Sequence, residues 1–261
     1  MELFDKGASY SSLNCTRSAL SSFTVLPNGN PAGTDPLISR FMKGVFNLRP
    51  ARPRYNAIWD VKPVLNFLRS LAPVRTLSLQ KLTWKLCGLL ALLTAQRVQT
   101  LHKLSVDSME KNRNVFIFTI EGHIKQSRPG NMGARIELQA YPPDRRLCIK
   151  TVLTEYLERT KPLRKNEKQL LLCVKAPHKA ASKDSISRWI RSVLSASNID
   201  IAQFKSHSTR AASVSAASAK YVPVNEIMKT AGWSSEKTFQ KFYNKPLVKE
   251  NTFANAILEA V

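Results

Sequence analysis

Four residues toward the carboxy terminus share a chemistry. His207 and Arg210 form an H-x-x-R pair, Trp233 follows Gly232, and Tyr243 lies in the run FQKFYNKP. A helix starting near Ser206 puts His207 and Arg210 on one face, because side chains three residues apart are neighbours on an α-helix. Cutting a phosphodiester without a metal makes three demands. A nucleophile must sit in line, cations must hold the non-bridging oxygens, and the leaving oxygen needs a proton. A phenol, with an ordinary pKa of about 10, needs a base and positive charge beside it. Arginine is the better oxygen clamp, because its planar fork gives phosphate two parallel hydrogen bonds. With Arg97 and Lys125 added, residues Arg97, Lys125, His207, Arg210 and Tyr243 supply every group the reaction requires.

The elements that must position these residues follow from patterning. Residues 1 to about 25 are Ser-rich and helical in flavour, and Pro27 to Pro36 is turn chemistry. Leu37 to Phe46 is a short amphipathic piece, and Arg49 to Tyr55 reads as an extended basic linker, since its prolines bar a regular helix. Trp59 to Leu71 is a further helix. The strongest helix is expected from Ser78 to Leu104, where Leu79, Leu82, Leu86, Leu89, Leu90 and Leu93 form one stripe with Arg97 near its end. Val115 to Ile120 and Ala134 to Leu138 read as strands of a hairpin joined by the basic loop GHIKQSRPGNMG. Helices return at Arg145 to Arg159 and at Asp184 to Ser195, the latter capped by Ser182 or Asp184, with Leu170 to Val174 as a possible short strand between them. The small-residue helix from Ser206 to Lys220 ends before Pro223. That proline starts a helix closed by Gly232, and Ser234 or Ser235 caps the segment carrying Tyr243. The fold class is mainly α with a small antiparallel β-sheet (α+β).

Composition points the same way. The chain has 261 residues, a hydrophobic fraction of 43% and a formal charge of +22, with a pI near 10.2. That excess of Lys and Arg draws the protein to polyanions, nucleic acid first. Cys15, Cys87, Cys148 and Cys173 are far apart, the four histidines are scattered, and neither set has zinc-ligand spacing. Cys87, Cys148 and Cys173 sit in apolar runs and read as buried thiols of a reducing, intracellular compartment. The longest apolar run, Leu86 to Thr94, is too short to span a bilayer, and Glu2 and Asp5 interrupt any signal peptide at the start. No cofactor, metal or membrane is expected.

The stretch LLTAQRVQTLHKL, the basic hairpin, HSTR, AGW and the terminal tyrosine resemble the catalytic domain of tyrosine recombinases of the phage-integrase type. The wording KSHSTRAASVSAA and GWSSEKTFQKFYNKP is especially similar to recombinases of DIRS-type retrotransposons. The catalytic resemblance spans about Leu77 to Pro246. Upstream, GASYSSLNCTRSALSSF and DPLISRFMKGVFNLRP look like the rear part of the family's core-binding module, whose usual first helices are missing. The resemblance implies a partial helical core-binding (SAM-like) domain at 1–48, a basic linker and leading helix at 49–76, and a catalytic domain at 77–261.

It also implies roles. Arg97 and Arg210 would grip the scissile phosphate, His207 would hydrogen-bond it and act as base toward the tyrosine, and Trp233 would offer an N–H to a non-bridging oxygen. Tyr243 would be the nucleophile of a 3′-phosphotyrosyl intermediate. Lys125 would protonate the leaving 5′ oxygen. Aligning the loop on S-x-x-G instead puts Arg128 at that place, although arginine is a poor proton donor at neutral pH. Many relatives carry an acid three positions after the first arginine, where this chain has Thr100. The implied activity is strand breakage and rejoining on double-stranded DNA, by a homo-oligomer that is a tetramer on DNA, in the nucleus, integrating mobile-element DNA. The final segment, with Phe253, Ile257 and Leu258, offers an apolar face to a neighbouring copy or to its own domain. Alternatives are a catalytically silent DNA-binding remnant or domesticated regulator, and a relaxing topoisomerase of the IB type.

Overall fold

In a computed structural model of the chain, which describes residues 2–27, 29–50, 55–122, 124, 135–233, 236, 239–240 and 243–246, several helices begin where a short polar side chain precedes an apolar run. The chain divides into two units, Met1–Arg54 and Tyr55–Val261.

The first unit holds α1 (Glu2–Asp5), α2 (Tyr10–Ser21) and α3 (Pro36–Leu48). Ser9 caps α2 by accepting the Ser12 N–H. Asp35 caps α3 by accepting from Leu37 and Ile38, with Pro36 in the first turn, where its missing N–H costs nothing. Leu13, Met42 and Val45 are the buried centre of a small core, and Phe4 meets Phe41 edge-on at 5.8 Å. Arg49 closes it, donating through Nη1 to the carbonyls of Phe4 (2.8 Å) and Ala8 (3.0 Å). The Pro-Arg string that follows lies largely outside the described residues.

The second unit is built on one buried helix. It contains α4 (Val61–Ser70), α5 (Leu79–Thr94), α6 (Val98–His102), α7 (Ile149–Thr160), α8 (Lys183–Ala196), α9 (Ser208–Ala219) and α10 (Val224–Ala231). Asp60, Ser78 and Ser182 cap α4, α5 and α8. Helix α5 packs against α7, α8 and α9, and its Leu82, Leu86, Leu89 and Leu90 are wholly buried. A three-stranded antiparallel sheet in the order β1 (Met109–Lys111), β2 (Val115–Thr119), β3 (Arg135–Gln139) packs beside it. The register sets Phe116 opposite Leu138 and Phe118 opposite Ile136, all four buried, so one face of the sheet is core. The molecule is thus mainly helical with a small antiparallel sheet.

Three sequence expectations need correction. The helix expected from Ser78 to Leu104 is two helices, because Ala95 turns left-handed (φ 49°, ψ 24°) and Arg97 is extended. Tertiary hydrogen bonds described below hold that break. Leu170–Val174 does not form a strand; only isolated bridges, Ser105 with Gln169 and Leu172 with Ala180, occur there. Its backbone is satisfied by side chains instead: Arg164 donates to the carbonyls of Gln169 and Leu170 (both 2.7 Å), and the Leu172 N–H donates to the Tyr156 hydroxyl (3.0 Å). Strand β1, too short to show alternation, has no counterpart in the sequence reading.

Candidate active site

Helix α9 is lined with small residues, and their hydroxyls bind it to its neighbours. Ser213 Oγ donates to the Leu92 carbonyl on α5, and Trp59 Nε1 donates to Ser208 Oγ at the first turn, a buried bond of 2.9 Å. Arg210, only 1% exposed, points from this helix to the α5 terminus and donates through Nη1 to the Ala95 carbonyl (2.7 Å). Its Nε and Nη2 are buried with no hydrogen-bond partner, and so are Nη1 of Arg97 and Nε1 of Trp233. Buried donors are seldom left unpaired in folded proteins, and here four fall on three adjacent site residues. Burial first, then the Arg97 charge, pulls the Arg210 guanidinium below its ordinary pKa, while Tyr243 acts in the opposite direction. Such a site is short of an anion.

The α5 break delivers Arg97. Thr94 Oγ1 donates to the Leu90 carbonyl (2.7 Å) and accepts the Gln96 N–H (3.2 Å), which ends the helix without a glycine. Left-handed Ala95 then turns its carbonyl to Arg210. Gln96 Nε2 donates to the Thr230 carbonyl on α10 (2.6 Å), and α10 is closed by left-handed Gly232 (φ 67°, ψ 46°), directly before Trp233. Arg97 and Trp233 are therefore placed by one shared linkage. Thr100 is buried, and its N–H donates to the Arg97 carbonyl (2.8 Å). Among the described residues, Arg97 makes no ion pair.

Tyr243 completes the group. Its N–H and that of Asn244 both donate to the Phe239 carbonyl, each at 2.9 Å. The ring lies 4.4 Å from that of Trp233, and the Arg210 guanidinium stands 4.1 Å from the Trp233 ring and 5.5 Å from the Tyr243 ring. The Tyr243 hydroxyl is 3.4 Å from His207 Nε2. The helix expected from Ser206 starts at Ser208, with His207 at its cap position, and the Arg210 N–H still reaches the His207 carbonyl (3.3 Å).

The structure thus brings together five of the residues singled out in the sequence: Arg97, His207, Arg210, Trp233 and Tyr243. Lys125, its alternative Arg128, the caps Ser234 and Ser235, and the apolar tail residues Phe253, Ile257 and Leu258 lie outside the described residues. Two other tyrosines stand away from this group. Tyr156 is fully buried, and burial pushes its phenol up to about 12; Tyr221 is 93% exposed beyond the far end of α9. Cys87 and Cys148 are buried as expected, but Cys173 is only half-buried. Among the described residues no cluster of His, Cys, Asp and Glu could hold a metal ion, and no helix is long and apolar enough to cross a membrane.

Sequence reasoning missed the supporting residues Trp59, Gln96, Ser208, Ser213 and Ser215. The one available signal was the density of serine in a buried small-residue helix, where each hydroxyl needs a partner.

A family model described as the phage integrase family matches residues 64–250. No curated protein sequence matches the chain. Solved structures with a similar fold include XerH site-specific recombinase bound to difH substrate in a pre-cleavage complex (TM-score 0.61, 11% identity, covering 97% of this chain and 66% of that one). Another is the Tn1549 transposon integrase in complex with transposon right-end DNA (TM-score 0.59, 14% identity, 100% and 82%). A third is a lambda integrase dimer bound to a COC′ core site (TM-score 0.52, 16% identity, 95% and 63%). The chain spans just under two thirds of the length of XerH and of the lambda enzyme.

Proposed function

The chain belongs to the phage integrase family, the tyrosine recombinases, and on that footing we propose that it breaks and rejoins double-stranded DNA through a 3′-phosphotyrosyl intermediate. The observation that carries this is the cluster of buried, unpartnered N–H groups on Arg97, Arg210 and Trp233 beside a tyrosine hydroxyl 3.4 Å from an imidazole.

The chemistry follows from the groups. Tyr243 Oη attacks phosphorus, the bond to the 5′ oxygen breaks, and a phosphotyrosyl ester replaces the original diester. The phenolic proton passes to His207. Arg97 and Arg210 hold the non-bridging oxygens through the buried donors Nη1 of Arg97 and Nε and Nη2 of Arg210, and Trp233 Nε1 adds another. The Arg210 guanidinium lies 5.5 Å from the Tyr243 ring and the Trp233 ring 4.4 Å from it, so nucleophile and donors share one site. The departing 5′ oxygen takes a proton from Lys125 and leaves as a hydroxyl. Attack by a 5′ hydroxyl of a partner strand reverses the step, and one ester is exchanged for another with little change in bond energy.

The charge of +22 supports DNA as the partner. The similar structures named above, recombinases bound to DNA, support it further. The finer reading is integration of mobile-element DNA by a tetramer in the nucleus. It rests on the wording of residues 205–246 and on the transposon integrase among the similar folds.

The test is a nicked suicide substrate made from the DNA flanking the gene, on which the 5′ fragment diffuses away and traps the intermediate. Wild-type protein forms a covalent adduct and Tyr243→Phe forms none. DNA binding without any adduct from the wild type would leave only the silent, DNA-binding remnant.

A further inference from the structure

Ser215 stands five residues beyond Arg210 on α9, 4% exposed, and takes no part in the chemistry above. Its hydroxyl makes two hydrogen bonds to the segment that carries the tyrosine. It donates to the Tyr243 carbonyl (2.9 Å) and accepts the Lys245 N–H (3.0 Å). A serine hydroxyl has one proton and can accept as well as donate, so both bonds are made by one oxygen in one rotamer. The backbone on either side of Asn244 is thereby clipped to the helix that carries His207 at its cap and Arg210 in its first turn.

We infer that Ser215 is a positioning residue that sets where Tyr243 stands relative to the phosphate-binding arginine of its own chain; this rests on the recombinase reading above. Nearby bonds do not do the same work. One, from the Ile58 N–H to the Pro246 carbonyl (2.8 Å), ties the end of the segment to the residues before α4 rather than to α9. The Tyr243 and Asn244 N–H groups bond back to Phe239, within the tyrosine segment itself. Those bonds shape the turn without fixing it to α9. The ring contacts to Trp233 are non-directional and let the segment slide, whereas the Ser215 pair fixes its height along the α9 axis, where one residue is a rise of about 1.5 Å. Displacement of a reacting group by about 1 Å can slow a reaction by about a hundredfold.

The experiment is Ser215→Ala in the full chain, with three measurements. The first is the rate of adduct formation on the suicide substrate, and the second is DNA affinity by fluorescence anisotropy. The third is amide hydrogen exchange of residues 243–245 in the free protein. The expected result is a rate lower by about tenfold or more at unchanged affinity. With it, exchange accelerates at Lys245 while Asn244, bonded to Phe239, keeps its wild-type rate. A rate within twofold of wild type overturns the inference. A rate and an affinity that fall together also overturn it, because they mark general loosening. Should the wild type form no adduct, the recombinase reading fails by itself. The clip is then judged on exchange alone: unchanged protection at Lys245 overturns it, and selective loss there supports it.

Discussion

Two buried arginines in the second unit differ in one respect, and the difference yields a measurable contrast. Arg164 is 8% exposed and has partners for its terminal donors: Nη1 reaches the Gln169 carbonyl (2.7 Å), and Nη2 reaches Thr160 Oγ1 (2.9 Å) and the Leu170 carbonyl (2.7 Å). Arg210 is more deeply buried, yet it bonds Ala95 through Nη1 and leaves Nε and Nη2 unpaired, with the Tyr243 hydroxyl nearby. Methionine has a similar length and removes the charge, so Arg164→Met and Arg210→Met perturb comparable volumes.

For Arg164, three hydrogen bonds vanish, and two carbonyls and the Thr160 hydroxyl oxygen lose their donor, a loss of about 3–5 kcal/mol. For Arg210, the lost Ala95 bond costs about 1.5–3 kcal/mol and the lost stacking on Trp233 about 2 kcal/mol. Against that, two unsatisfied buried donors disappear, each a penalty of about 1–3 kcal/mol, and so does the repulsion from Arg97. The terms for Arg210 nearly cancel. A domain of this size loses about 2–4 °C of Tm per kcal/mol. Calorimetry should therefore find Arg164→Met lower by roughly 6–20 °C and Arg210→Met within about 4 °C of wild type, while only Arg210→Met abolishes adduct formation. An Arg210→Met protein destabilised as much as Arg164→Met would refute the reasoning. The Arg210 donors would then be satisfied in the free protein, and the site would not be waiting for an anion.

Two further predictions follow from buried groups outside the reacting set. Trp59→Phe leaves the wholly buried Ser208 hydroxyl without its donor, at a cost of about 1–3 kcal/mol; urea denaturation should show that loss, and adduct formation should slow because Ser208 adjoins His207. Lys85 is buried, donates to the Leu71 carbonyl, and has its pKa lowered from 10.5 to about 8, chiefly by burial. In the unfolded chain the amine keeps its ordinary value, so between about pH 8 and 10.5 the unfolded state binds more protons and stability rises with pH. Below pH 8 both states are charged and the burial penalty is fully present. The stability of wild type relative to Lys85→Met should accordingly rise between pH 7.5 and pH 9.5 in paired urea titrations; no change in the difference would refute it.

Local signals carried much of the fold. Ser182 before Lys183, Pro223 before Val224 and Gly232 after Ala231 mark helix ends through backbone chemistry that needs no tertiary partner. The H-x-x-R spacing likewise needs only helix geometry to put His207 beside Arg210. The sequence was silent where a distant hydrogen bond decides the outcome. Tyr156 takes the Leu172 N–H away from a strand ladder across 16 residues, and Arg164, though six residues before Leu170, sits in no pattern that announces its bond there. Trp59 and Ser208 are far apart along the chain, and nothing in either neighbourhood pairs them.

The most instructive departure is at Ala95, where one helix was expected from Ser78 to Leu104 and α5 ends at Thr94 instead. An alanine in the left-handed region costs roughly 1–2 kcal/mol, and the apolar period alone would never choose it. What the bend brings is chemical. It turns the Ala95 carbonyl to Arg210, frees Gln96 to hold Thr230 ahead of Trp233, and puts Arg97 in an extended residue at the head of α6 rather than on a helix flank. Had the helix continued, these three connections would point away from α9 and the two arginines would not share a site. The place where propensity gives way is the place where the phosphate-handling groups meet, as expected when local strain is retained for function.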